Sequence, residues 1–111
     1  MLITYDDFLK VDIRSGTVVK VELFPEARNP AYKIWVDFGA EIGIKQSSAQ
    51  VTVHYTPETL IGRRVIGVVN FPVKKIAGFS SEFLVLGFSD KAEAIHLVTF
   101  DSSVANGQKL H

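Results

Sequence analysis

Between the apolar runs Val65–Val69 and Phe83–Leu86 lies Asn70-Phe71-Pro72-Val73-Lys74-Lys75-Ile76-Ala77-Gly78-Phe79-Ser80-Ser81-Glu82, a connection with the residue types to hold a ligand. An ordinary turn is short and built from Gly, Asn, Asp and Ser, so a polar connection has no structural need for Phe71, Pro72, Ile76 and Phe79. A long loop with apolar and cationic side chains on a strand framework reads as a binding loop. Lys74 and Lys75 can pair with phosphates or with carboxylates of a bound chain; the alternative is that they only solvate the loop. Phe71 and Phe79 can stack on bases or wall an apolar peptide pocket, or fold back to plug the end of the core. One exposed ring and one packed ring are expected.

Further polar side chains stand together at Lys45, Gln46, Ser47, Ser48 and Gln50. The serines read as turn and cap hydrogen-bonding groups, whereas Gln46 and Gln50 can bond the main chain of an extended peptide. Trp35 alternates with Ile34 and Val36, so its ring is expected on the outer face, as a ligand platform or subunit contact. Arg14 and Arg28 read as surface ion pairs with Asp12 or Glu26. His54, His96 and His111 lie in unrelated contexts with none of the close spacing of a metal pair. No Gly-rich strand-to-helix phosphate loop is present. The expectation is a chain that is not an enzyme and has no metal site and no cofactor.

Composition agrees with a globular binding module. Hydrophobic residues make up 47% of 111 residues, enough for one core and too few for a second domain. Twelve basic and twelve acidic side chains cancel, whereas dedicated nucleic-acid binders usually carry basic excess. Zero cysteines exclude disulfides, thiolate metal sites and cysteine nucleophiles. Met1-Leu-Ile-Thr-Tyr-Asp-Asp7 lacks the pattern of a signal peptide, and no apolar stretch approaches the ~20 residues of a membrane span. No membrane insertion and a cytoplasmic location are expected.

The elements that must position these residues follow from periodicity. Thr4 followed by Tyr5-Asp6-Asp7 reads as a capped helical turn. Val11–Glu22 alternates as a long strand, with Val11, Ile13, Ser15, Thr17, Val19 and Val21 on one face and a bulge or bend expected at Gly16. Tyr32–Phe38 and Ile42–Gln46 form a second and third strand. Thr56-Pro57-Glu58 starts a short helix that Gly62 closes. Arg63–Asn70 and Phe83–Phe88 are strands four and five, Ile95–Phe100 a short sixth, and Asn106-Gly107 a turn. Three strands, a helix, then two strands is the order of an all-β OB-fold, a five-stranded Greek-key barrel. Its core is expected from Ile13, Val19, Ile34, Val36, Ile42, Val65 and Val85. OB-fold ligands lie between the loops joining strands one to two and four to five, here Leu23–Ala31 and Phe71–Glu82.

Val11-Asp-Ile-Arg14 with Gly16 and Val19-Lys-Val-Glu22 resembles the opening of the tRNA-binding domains appended to methionyl- and phenylalanyl-tRNA synthetases. Tyr55-Thr-Pro-Glu58, Leu60-Ile-Gly62, Val69-Asn70, Lys75-Ile76, Gly78 and Ser81-Glu82 continue that resemblance in order. Phe24-Pro-Glu-Ala-Arg28, Asp37-Phe-Gly39, Glu41–Gln50, Val69–Pro72 and Ile76–Phe79 are similar to the CsaA branch, described as export-related chaperones. That branch implies a homodimer that binds peptides or unfolded precursor polypeptides and cooperates with the secretion motor. Terminal segments outside the barrel, with Phe8, Leu9, Ile95, Leu97, Val98, Phe100 and Leu110, would form the dimer contact.

The two readings, a peptide-binding chaperone and a tRNA-binding module, draw on one expected contact set. It comprises Trp35, Lys45, Gln46, Ser48, Gln50, Asn70, Phe71, Lys74, Lys75, Phe79, Ser81 and Glu82. In the peptide reading, Phe71, Phe79 and Trp35 form apolar pockets rimmed by Lys45, Gln46, Lys74 and Lys75. In the RNA reading, the lysines meet phosphate and the aromatics stack.

Overall fold

Thr4 caps helix α1 (Tyr5–Leu9) in a computed structural model that describes residues 1–111. Its hydroxyl accepts the Asp7 N–H at 3.1 Å while the Asp7 carboxylate accepts the Thr4 N–H at 3.0 Å, a reciprocal capping box. Strand β1 (Ile13–Leu23) then pairs antiparallel with β4 (Arg64–Val68) through its first half and with β2 (Tyr32–Asp37) through its second. The β1–β2 register slips between Val18 and Lys20, so Val19 is the extra residue of a bulge.

That bulge corrects the expected facing of β1. Gly16 and Val18 face the barrel interior before it, and Val21 packs against the core after it. Val19 is 44% exposed instead of lining the core. Ile13 and Ser15 are buried, but outside the main core cluster. Ser15 sits beneath the C-terminal segment, its hydroxyl donating to Ala105 O at 2.7 Å and accepting Gln108 N–H at 2.9 Å. Gly16 serves close approach rather than bending: a Cβ there would stand 2.5 Å from Val36 Cγ1 and 2.9 Å from Phe38 Cδ1.

Phe38 leads into a one-turn helix, α2 (Gly39–Ile42), bounded by Gly39 at φ +89° and Gly43 at φ +84°. Strand β3 therefore runs Ile44–Ala49, later than the pattern suggested. The predicted helix between the third and fourth strands is α3 (Pro57–Leu60). Thr56 and Thr59 cap it reciprocally, and Gly62 follows it at φ +84°. The long connection is not irregular. It folds into a hairpin of β5 (Lys74–Ile76) and β6 (Phe79–Ser81), turned by Ala77 at φ 48° and Gly78 at φ 82°. The expected fifth strand divides into β7 (Leu84–Val85) on β4 and β8 (Gly87–Ser89) on β9 (Ile95–Leu97). The exchange of partner happens at Leu86, whose N–H bonds Ile66 O and whose carbonyl accepts from Val98.

The sheet order β3-β2-β1-β4-β7 makes a nearly closed five-stranded antiparallel barrel, the OB-fold. Its ends meet through Glu82 N–H to Gln46 O at 2.8 Å and Ser47 Oγ–H to Phe83 O at 2.8 Å, without a continuous ladder. Inside are Val18, Ile34, Val36, Phe38, Leu60, Val65 and Phe83, with Ile42 and Val85 packed at the margin. No helix is long and apolar enough to cross a membrane.

Candidate ligand-binding groove

Where β3 and β7 fail to pair fully, the barrel opens into a half-enclosed cavity of about 760 Å³. One wall is the end of β3, from Ser47 to Val51, and the opposite wall is Phe83 to Gly87. Phe71, Pro72, Lys74 and Ile76 of the loop and β5 border it, and Glu93 and Ile95 come from the last hairpin. Apolar side chains thus meet strand edges whose backbone groups are only partly paired, together with one exposed cation, Lys74, and one carboxylate, Glu93. That combination accommodates an extended polymer better than a compact solute.

The expected contact set divides between this groove and other places. Ser48, Gln50, Phe71, Lys74 and Ser81 line the groove, and Phe71 is 53% exposed. Phe79 is the packed ring of the pair. It stands edge-on to Phe24 with centroids 5.5 Å apart, and it also contacts Trp35. Trp35 does point outward, but its ring is not free: Lys20 Nζ lies 4.5 Å from its centroid and its Nε1–H donates to Gln46 Oε1 at 3.2 Å. Of the three aromatics, Phe71 lines the groove, while Phe79 and Trp35 pack against each other on the outer face of β2.

Several polar members of the set are engaged internally. Lys45 pairs with Val36 and Gln46 with Trp35, so the two side chains leave β3 on opposite faces. Gln46 donates to Ser80 O at 3.0 Å, and its own N–H reaches Glu82 Oε1 at 3.0 Å. Ser81 Oγ meets Ser47 Oγ at 2.9 Å. These contacts clasp the β5–β6 hairpin to β3. Asn70 accepts Asp12 N–H at 2.9 Å and donates to Lys10 O at 2.7 Å, anchoring the end of α1 to the barrel. Lys75 is exposed and donates to Ser80 Oγ at 2.6 Å. Arg14 pairs with Asp12 at 2.6 Å as expected, and this contact raises its pKa.

Val51, Leu84 and Leu86 line the groove without standing out in the sequence, and Ile95, expected at a dimer contact, lines it too and packs with Leu97 against the core. Leu84 and Leu86 look like ordinary strand residues and Val51 like part of a connection, and only the incomplete β3–β7 closure exposes them to a ligand. A second face, on the outside of β2, gathers Trp35, Phe79 and Phe24 beneath Lys20 and Lys33. Lys33 Nζ lies 4.9 Å from the Phe24 centroid and 5.1 Å from that of Phe79.

The histidines also depart from expectation. His54 Nε2 and His96 Nε2 converge on one carboxylate oxygen, Asp90 Oδ2, at 3.0 and 2.8 Å, and their rings lie 4.2 Å apart. Forty-odd residues of sequence separate the two rings; the fold sets the segment between β3 and α3, with His54, against the β8–β9 hairpin that brings Asp90 and His96 together. Hydrogen bonds from His96 and then His54, with the Ala94 and Ala92 N–H groups, hold Asp90 well below the usual carboxylate range.

Comparison with known proteins places this geometry in a family. Residues 13–109 match the model of the putative tRNA-binding domain. Methionine–tRNA ligase of Porphyromonas gingivalis is 32% identical over 108 residues, 97% of this chain but 15% of the ligase. Methionine–tRNA ligase 1 of Sorangium cellulosum is 38% identical, with 97% and 15% covered. The chain thus spans about a seventh of these curated relatives. The crystal structure of the chaperone CsaA from Bacillus anthracis is similar over 100% of both chains, at 48% identity and a TM-score of 0.93. That of the CsaA chaperone from Picrophilus torridus covers 99% of this chain and 100% of its own, at 47% identity and a TM-score of 0.93. A barrel left ajar at β3–β7, a hairpin clasped across the gap and a match from the first strand to the C-terminal segment lead to one conclusion: the chain belongs to the family of putative tRNA-binding domains, and is similar along its whole length to the CsaA chaperones.

Proposed function

We propose that this chain is a non-enzymatic, CsaA-like chaperone that binds extended segments of unfolded or precursor polypeptides and assists their export from the cytoplasm. The observation that carries the reading is the groove at the β3–β7 gap, which joins apolar side chains to incompletely paired strand edges. An extended peptide adding there gains main-chain hydrogen bonds from the edge and side-chain contacts from Phe71, Val51 and Leu86. Gln50 and Ser48 supply further hydrogen-bonding groups, and Lys74 a cation for acidic residues of the client. The formal net charge of +0 suits a peptide better than a polyanion.

The working unit is a homodimer. Leu2, Ile3, Tyr5, Leu9 and Leu110 remain exposed at the two termini, and a twin subunit would cover this apolar surface. Two grooves on one dimer add avidity for long clients. The secretion motor is the partner to which such a chaperone would deliver them. Sedimentation at micromolar concentration should give twice the 12.3 kDa chain mass; a monomer would refute the dimer.

A second reading, a free-standing tRNA-binding module, is favoured by the outer face of β2, where Lys20 and Lys33 overlie Trp35, Phe24 and Phe79. Parallel titrations with an unfolded peptide and with tRNA over a salt series decide between the two. Peptide affinity should change little with salt, because apolar burial is not screened. Binding of tRNA should weaken steeply, with log K falling by about 0.7 per single-strand phosphate for each unit of log salt. Tight tRNA binding with that slope, and none of peptide, would overturn the chaperone reading.

A further inference from the structure

We infer that His54, Asp90 and His96 form a binding site for one divalent transition-metal ion of the zinc class, tying the β8–β9 hairpin to the connection that follows β3. The inference is independent of which polymer the groove holds.

Three ligand atoms, two imidazole nitrogens and one carboxylate oxygen, lie within 4.8 Å of one another. They come from two separate elements, His54 from the segment between β3 and α3, and Asp90 and His96 from the last hairpin. Zinc bonds of about 2.0–2.2 Å at tetrahedral angles set ligand atoms roughly 3.3–3.5 Å apart. The Nε2–Oδ2 separations of 3.0 and 2.8 Å are a few tenths of an ångström short of that spacing. Small rotations of the two rings therefore admit an ion. Each neutral imidazole then carries its proton on Nδ1 and presents Nε2 to the metal.

The carboxylate is already oriented for this. Asp90 Oδ1 accepts Ala92 N–H at 2.9 Å and Ala94 N–H at 3.1 Å, leaving Oδ2 directed at the rings. A ligating carboxylate fixed by its second oxygen is the arrangement that supports metal affinity. Two imidazoles with a single carboxylate select a transition metal over calcium or magnesium, which require mostly oxygen ligands. Side chains of His54 and His96 are 39% and 53% exposed, so an ion has an entry path and water completes its coordination.

The ion's structural effect follows from the hairpin's position. Glu93 and Ile95 border the groove, and cross-linking their hairpin to His54 would fix that wall.

The test uses the 111-residue chain after chelator treatment, titrated calorimetrically with ZnCl₂, with MgCl₂ and CaCl₂ in parallel. One zinc per chain is expected, with a thermal midpoint that rises with zinc concentration and no response to magnesium or calcium. His54→Gln and His96→Gln should each weaken zinc binding by at least the roughly 10–100-fold that loss of a supporting partner costs. His111→Gln, outside the cluster, should leave it unchanged. If a variant does not fold, ¹H–¹⁵N imidazole spectra of the unsubstituted chain decide, because zinc must shift Nε2 of His54 and His96 and not of His111. No zinc uptake, equal binding by all variants, or imidazole shifts confined to His111 overturns the site.

Discussion

The ring of Phe79 stands edge-on to that of Trp35, with centroids 5.8 Å apart and planes inclined by 75°. The contact fastens the β5–β6 hairpin to the outer face of β2, next to Phe24. Phe79 is thereby a strut of the groove, while the exposed Phe71 is free to touch a ligand.

The two phenylalanines should separate in experiment. Phe79→Ala should lower stability by about 1–2 kcal/mol, combining partial loss of burial with loss of aromatic pairing. Phe71→Ala should stay within about 0.5 kcal/mol of the parent in stability, as exposed positions do, yet weaken peptide binding. Thermal melts and peptide titrations read the two effects. Undiminished peptide affinity in Phe71→Ala would remove that ring from the binding surface.

Gly16 bears on the tightest part of the core. Its backbone and that of Gly67 approach the Phe38 ring, where added Cβ atoms would lie 2.9 and 2.8 Å from ring carbons. Gly16→Ala should destabilise the barrel by roughly 1–3 kcal/mol, the usual cost of overpacking. A urea midpoint unchanged with an unchanged m-value would contradict the packing described.

Acid should act on α1 through Asp7. The Thr4 main-chain N–H, then the Thr4 side chain and Lys10, hold the Asp7 carboxyl below its ordinary value. A pKa depressed on folding means that the carboxylate stabilises the cap above the unfolded value near 3.9 and loses this as pH falls through the folded value. Carboxyl ¹³C titration should give a midpoint below that of a model aspartate, with α1 fraying in the same range. Asp7→Asn should abolish this dependence; a normal midpoint for Asp7 would show the box to be unformed in solution.

Ala77 occupies the left-handed region at φ 48° in the hairpin turn. Such a conformation costs an L-residue roughly 1–2 kcal/mol, and Asn tolerates it best. Ala77→Asn should therefore raise stability by about 0.5–1 kcal/mol, a part of that cost. A drop in the melting midpoint would mean that the turn has another geometry.

The barrel was largely legible from alternation, because Ile34, Val36 and Val65 obey a period of two with no interruption. The opening strand lies beyond the reach of the same logic. One inserted residue, Val19, exchanges the inward and outward faces, and nothing local distinguishes it from a neighbouring valine. The groove was legible only in part: Phe71 and Lys74 stood out as loop residues of unusual type, while Leu86 and Ile95 became lining through an incomplete strand pairing far from them in sequence. Polar residues such as Asn70 and Ser81 carry equal chemical promise in a sequence whether they face a ligand or the chain's own backbone. The pairing of His54 with His96 is a product of tertiary contact alone.

The C-terminal segment lies along the start of β1, with Ser15 N–H bonded to Gln108 O, Gly107 N–H to Ser15 O and Leu110 N–H to Ile13 O. The ribosome makes the start of β1 and supplies its neighbours at 107–110 nearly a hundred residues later. During synthesis, Ile13 to Ser15 therefore wait as an unpaired strand border, open to pairing with other chains. Such long-range closure slows folding. Pairing along the start of β1 is thus timed to the emergence of residues 107–110, and deleting them would leave that strand border permanently unfinished.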